Sequence, residues 1–127
     1  VRPLAQDRLA ELARATLERL IDGALMRDEL EAELGRNLGT MVDAKLAIAE
    51  TGGEDFAQAV EAIYGLTVDR FREAVLVPQA REEILRGRLL LSKTDFDAWL
   101  TEARQGALVT ILDPRLAWDG ERVVFRE

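Results

Sequence analysis

Between Leu4 and Leu34 apolar residues recur at steps of three and four: Leu9, Leu12, Ala13, Leu17, Leu20, Ile21, Ala24 and Leu25. That is the helical period, and no proline interrupts it, so the pattern predicts one helix over about 4–34 with a single apolar stripe. Arginine and glutamate fill the other positions, with pairs such as Glu11–Arg14 at supportive spacing. Gly23 weakens the middle by about 1 kcal/mol relative to alanine without breaking it. Gly35 suits a left-handed cap after the last apolar position, and Gly39 lies in the same break. Helices in globular proteins average about 10–14 residues, so this one reads as an arm against which shorter helices pack.

Three further helical patterns come after it. Thr40 is positioned to cap a helix over about 41–51, with Met41, Leu46 and Ile48 as its apolar set and Thr51-Gly52-Gly53 as its stop. Phe56, Ala59, Val60 and Ile63 share one side of a helix over about 54–64, which Gly65 terminates. Thr67 caps a long pattern over about 68–91 that carries Phe71, Val75, Pro78, Leu85 and Leu89. Pro78 removes an amide donor and crowds the preceding turn, so a bent helix is expected, with two separate helices as the alternative.

Ser92-Lys93-Thr94 breaks the pattern, and Thr94 is read as the cap of a helix over about 95–105 bearing Phe96, Trp99 and Leu100. Beyond Gly106 the period shortens. Leu108-Val109-Thr110-Ile111-Leu112 and Arg122-Val123-Val124-Phe125 are β-branched and strand-like, which predicts strands over about 108–112 and 122–126. Asp113-Pro114 and Asp119-Gly120 are turn dipeptides, so a small hairpin lying on the helices is expected. The fold class is therefore mainly α with minor β: a long first helix, shorter packed helices, a proline-kinked helix and a C-terminal hairpin. A chain of 127 residues is expected to form a single domain over 1–127.

Composition narrows the chemistry. The sequence is 48% hydrophobic and 32% charged, a globular balance, but it holds no histidine and no cysteine, and Ser92 is its one serine. Ser-His and Cys-His triads, thiol redox chemistry, zinc fingers and haem ligation are excluded on residue supply alone. No P-loop, dinucleotide fingerprint, EF-hand loop or HExxH occurs. Paired carboxylates remain at Glu29/Glu33 and Asp95/Asp97, an ordinary outcome among 24 acids. Gly35-Arg36-Asn37-Leu38-Gly39 has one residue too many for a nucleic-acid-clamping GxxG loop and reads as a turn. No catalytic, cofactor-binding or metal-ligating residue is assigned.

The net charge of −7 sets the average surface against a nucleic-acid partner. Arg81, Arg86, Arg88 and Lys93 give one helix end a mildly basic character, read as a solvated face. No apolar run is long enough to span a membrane, and Val1-Arg2-Pro3 does not read as a signal peptide. Phe56, Phe71 and the other aromatics at helical spacing are expected in the core. Trp118 lies in the polar stretch Asp113–Glu121, where it either folds back onto a helix or presents a partner surface; the first reading is preferred.

Several of these stretches, in order, resemble SurA/PrsA-type foldases. Leu17-Glu18-Arg19-Leu20-Ile21-Asp22-Gly23-Ala24-Leu25-Met26 is similar to the first long helix of that family's chaperone domain. Gly52-Gly53, Tyr64-Gly65-Leu66-Thr67 and Phe71-Arg72-Glu73 come next with similar order and spacing. Phe96-Asp97-Ala98-Trp99-Leu100 leading to Val109-Thr110-Ile111-Leu112 is similar to the closing helix and strand. The resemblance covers about Leu17 to Leu112. The family's parvulin prolyl-isomerase module, whose sites use histidines with Asp or Cys, has no counterpart at Ser92-Lys93-Thr94, whether lost naturally or removed.

The resemblance implies a holdase without an isomerase: a domain that binds unfolded or partly folded client proteins through an apolar helical groove. Its expected peptide-binding residues are Leu20, Leu25, Met26, Tyr64, Phe71, Trp99 and Trp118. The implied compartment is extracytoplasmic, periplasm or cell envelope, with membrane contact only through an anchor outside this sequence. No cofactor is expected. Two other readings stay open: a homo-oligomeric assembly module, for instance a homodimer formed by helix exchange, and the remnant of a prolyl isomerase.

Overall fold

The computed structural model describes residues 4–51 and 53–126, and for residues 4–6 the backbone alone. Its order is α1 (Leu4–Leu34), α2 (Asn37–Ala49), α3 (Glu54–Tyr64), α4 (Val68–Phe71), a π-helical turn (Arg72–Leu76), α5 (Val77–Leu91), α6 (Phe96–Gln105), β1 (Leu116–Trp118) and β2 (Val123–Phe125). The protein is mainly helical, with one small antiparallel sheet near its end, as the periodicity predicts. Two compact units can be distinguished: residues 26–91, and residues 4–25 together with 92–126.

The unit Met26–Leu91 holds most of the core. Met26 and Leu30 of α1, Leu38, Val42 and Leu46 of α2, Val60 of α3, Phe71 of α4, and Ala80, Ile84, Leu85 and Leu89 of α5 are buried. Gly35 is left-handed, as a C-terminal cap requires, but the break it makes is shorter than expected. Helix α2 starts at Asn37 rather than after Thr40, and Gly39 lies inside it. Its buried row is therefore Leu38-Val42-Leu46, spaced by four, while Met41 and Ile48 face outward. Ile63 of α3 also points to solvent. In the stop Thr51-Gly52-Gly53, Gly52 lies outside the described residues.

Thr67 caps α4 as expected, its hydroxyl accepting the Arg70 N–H at 3.2 Å. Helical conformation then runs unbroken to Leu91, so the alternative of two separate helices does not hold. The Val77 N–H bonds the Arg72 carbonyl, five residues back, immediately before Pro78. Pro78 offers no N–H, and a widened turn relieves the crowding between its ring and the preceding carbonyls. One extra residue in the turn rotates the upstream face by about 100° relative to an α-helix. Phe71 accordingly packs on α3, with ring centroids 6.1 Å from Phe56 and 4.8 Å from Tyr64, whereas α5 packs on α2. A forked ion pair, Arg72 Nε to Glu50 Oε1 at 2.7 Å and Nη2 to Oε2 at 2.9 Å, fastens the π turn to the end of α2.

The other unit combines the first part of α1 with α6 and the hairpin. The cap of α6 is Asp95, not Thr94: its carboxylate accepts the Ala98 N–H at 3.0 Å. Ser92-Lys93-Thr94 forms the tight turn before it, with Lys93 left-handed. The hairpin also differs from expectation. Residues 108–112 form no strand; β1 is Leu116–Trp118, pairing Leu116 with Phe125, Ala117 with Val124 and Trp118 with Val123. Trp118 is thus a strand residue rather than a loop residue. The reason is the turn: the Asp119 carboxylate accepts the Glu121 and Arg122 N–H groups at 2.8 and 2.7 Å, and the Asp119 N–H donates to the Arg122 carbonyl. That closure pairs the residues next to it and leaves 108–112 out of reach. Leu116 and Val123 are the buried apolar side chains of the sheet.

Candidate functional site

Helix α1 carries the candidate site, because its two faces behave against type. At 100° per residue, Leu9, Leu12, Thr16 and Leu20 fall within an arc of about 80°. All four are exposed, the leucines by 65%, 61% and 65%. Glu11, Arg14, Glu18 and Asp22 occupy an arc on nearly the opposite side. The apolar residues expected in one stripe therefore divide: Leu17, Ile21 and Leu25 are half-buried, and the leucine row is open.

The charged arc engages the rest of its unit. Arg104 of α6 grips Asp22 through two hydrogen bonds, Nε to Oδ1 at 2.7 Å and Nη2 to Oδ2 at 2.5 Å. Glu18 Oε2 accepts both Arg14 Nη1 and the Val123 backbone N–H at 3.1 Å, and Arg14 Nη1 donates to the Val123 carbonyl at 3.1 Å. Arg104 Nη2 and Arg122 Nε lie 3.7 and 3.8 Å from Glu18. Glu18, Asp22, Arg14 and Arg104 are each less than a fifth exposed. Bonded to Asp22 first of all, the Arg104 guanidinium is held even more firmly protonated than usual. These contacts orient α1 in this unit with its leucines outward. A shallow concavity beside Leu12 is bordered by Asp7, Arg8, Glu11 and Ala15.

The residues expected to bind peptide are distributed over both units. Leu20 is on the open row, whereas Leu25 lies on the half-buried side of the helix with Leu17 and Ile21. Trp99 is half-buried on α6, its ring 6.2 Å from Phe96. Trp118 is half-buried on β1, with its indole N–H enclosed and without a hydrogen-bond acceptor. Met26 and Phe71 are core side chains of the other unit, and Tyr64 is exposed there with one face against Phe71. The expected set omits Leu9 and Leu12. Their exposure results from which face the charges occupy, and the one signal for it in the sequence is the 11-14-18-22 spacing of charged residues.

Of the expected carboxylate pairs, Glu29, Glu33 and Asp95 have local partners. Glu33 accepts Arg88 Nε at 2.9 Å, while burial, reinforced by the neighbouring Glu33, pushes the Glu29 carboxyl up. Asp95 is engaged as a cap. At the basic helix end Arg86 pairs with Glu82 and Arg88 with Glu33, while the Arg81 Nε is enclosed without a hydrogen-bond acceptor. Among the described residues no group of three or more acids is placed to hold a metal ion, and no helix is long and apolar enough to cross a membrane.

In comparison with known proteins, no family model, no curated protein and no solved structure matches the chain.

Proposed function

We propose that this protein is an ATP-independent holdase domain that binds unfolded or extended segments of other proteins on the leucine face of α1. The observation that carries this reading is the exposure of Leu9, Leu12 and Leu20 along one side of a helix whose charged side is turned into its own unit. An apolar row left open in this way, bordered by Arg8 and Arg19, fits a partner that brings its own apolar side chains. The resemblance of Leu17–Leu112 to SurA/PrsA-type chaperone domains supports the same function and an extracytoplasmic location.

Energetics favour reversible holding. Covering about 400 Å² of client apolar surface yields roughly 10 kcal/mol at 25 cal/mol per Å². Association and ordering costs of at least about 4 kcal/mol leave about 6 kcal/mol or less, an affinity of tens of micromolar or weaker from which clients leave without nucleotide hydrolysis. The net charge of −7 keeps loaded complexes dispersed and favours neutral or basic clients.

The test is aggregation of a chemically unfolded client, monitored by turbidity. The wild type should slow aggregation at stoichiometric amounts. The double variant Leu12→Glu/Leu20→Glu should lose most of that effect with an unchanged melting temperature, since both side chains are already in water. Equal suppression by variant and wild type contradicts the reading, as does absence of suppression by the wild type.

A further inference from the structure

Residues 108–112 combine three properties seldom found together on a surface. Leu108-Val109-Thr110-Ile111-Leu112 is uncharged in a chain that is 32% charged, and its centre is β-branched throughout. Among the described residues no backbone hydrogen bond reaches any of the five. Their exposure alternates as in a strand: Val109 and Ile111 are half-buried, whereas Leu108, Thr110 and Leu112 face solvent, the two leucines completely. A strand-forming segment with open N–H and C=O groups is a template for another strand.

The order of its residues selects the partner. Read from either end, the segment is leucine, a β-branched aliphatic, threonine, a β-branched aliphatic, leucine. We propose that residues 108–112 are a dimerisation strand, pairing antiparallel with the same residues of a second copy about a two-fold axis at Thr110. In that register Leu108 lies opposite Leu112 of the other copy, Val109 opposite Ile111, and Thr110 opposite Thr110. Like side chains meet on each face, and cross-strand pairs of these types are favourable. The closed two-fold arrangement uses one patch twice and does not propagate. About four to six backbone hydrogen bonds form, depending on which pairs are the hydrogen-bonded ones. The ends limit the ladder, because Pro114 has no N–H and the Ala107 N–H is already bonded to the Arg104 carbonyl. Asp113 falls opposite Ala107, so no acid faces an acid. A client strand of arbitrary sequence offers none of this mirror matching.

Thr110 provides a test that only self-pairing can pass. It is exposed and sits on the axis, so a charge there meets its own copy. Size exclusion with light scattering should give the wild-type chain about twice the 14.2 kDa monomer mass. Thr110→Asp and Thr110→Lys should each weaken dimerisation about tenfold or more and run as monomers at the same concentration, with unchanged circular dichroism. An equimolar mixture of the two should return to dimer mass, and native mass spectrometry should identify the heterodimer. A wild-type monomer at its highest soluble concentration overturns the proposal. So does a dimer that persists in both single variants, or a mixture that stays monomeric. Aggregation suppression through Leu12 and Leu20 uses other residues, so either result can fail alone.

Discussion

Glu18 joins three elements through one carboxylate: Arg14 on its own helix, the backbone of β2 at Val123, and the fringe of Arg104 on α6. Its side chain is 14% exposed, so water replaces these partners poorly. Glu18→Ala should lower stability by about 1.5–3 kcal/mol, the range for hydrogen bonds to a charged group. Glu11→Ala should change the urea midpoint little, because the Glu11 side chain is 56% exposed and its pair with Arg14 is screened by water. Equal midpoints for the two variants would remove Glu18 from its joining role. The helical spacing of Glu11, Arg14, Glu18 and Asp22 is readable in the sequence, and so is the pairing of Glu11 with Arg14. That this arc turns inward is not readable there. It depends on Arg104, 82 positions after Asp22, and on a hairpin edge that no local pattern places there.

At the scale of elements, helices are legible where punctuation is strong. Gly65 adopts the left-handed conformation that ends α3, and Thr67 caps α4, so both boundaries fall where the residues place them. Boundaries slip where two residues compete for one role. Asp95 displaces Thr94 as a cap because its carboxylate reaches the Ala98 N–H, and α2 takes in Gly39 because Leu38 supplies a buried position one turn before Val42. In the tail, β-propensity points to 108–112, but the Asp119 turn decides which residues pair. Propensity alone does not supply a partner. Gly23 offers a clean test of α1 as a helix: no atom outside the local helix backbone lies within 4 Å of where its Cβ would sit. Gly23→Ala should raise stability by about 0.5–1 kcal/mol through reduced backbone entropy in the unfolded chain. A loss of stability on this substitution would show that α1 is not regular there.

For the whole molecule, electrostatics fix the response to acid. Hydrogen bonds from Arg115 hold the Asp113 carboxyl down at about 2, against an ordinary 3.8. Arg72 lowers Glu50, Arg14 lowers Glu11, and the Glu121 and Arg122 backbone amides lower Asp119. Below the ordinary carboxylate range the unfolded chain takes up protons that these folded groups refuse, so stability falls as pH falls. Glu29 acts in the opposite sense, since its raised carboxyl takes a proton earlier in the folded state. Four groups oppose one, and the urea midpoint should decline steadily from about pH 5 towards pH 3. A midpoint that is flat or rises over that interval would contradict the ion pairs described.

The same scale decides function, because an apolar row matters only if it stays open in the folded protein in solution. Methyl-labelled leucine spectra during titration with an unfolded client test this directly. The methyls of Leu9, Leu12 and Leu20 should shift or broaden first, while those of the buried Leu30 and Leu85 stay in place. Client binding that leaves the three α1 leucines unperturbed would contradict the central claim.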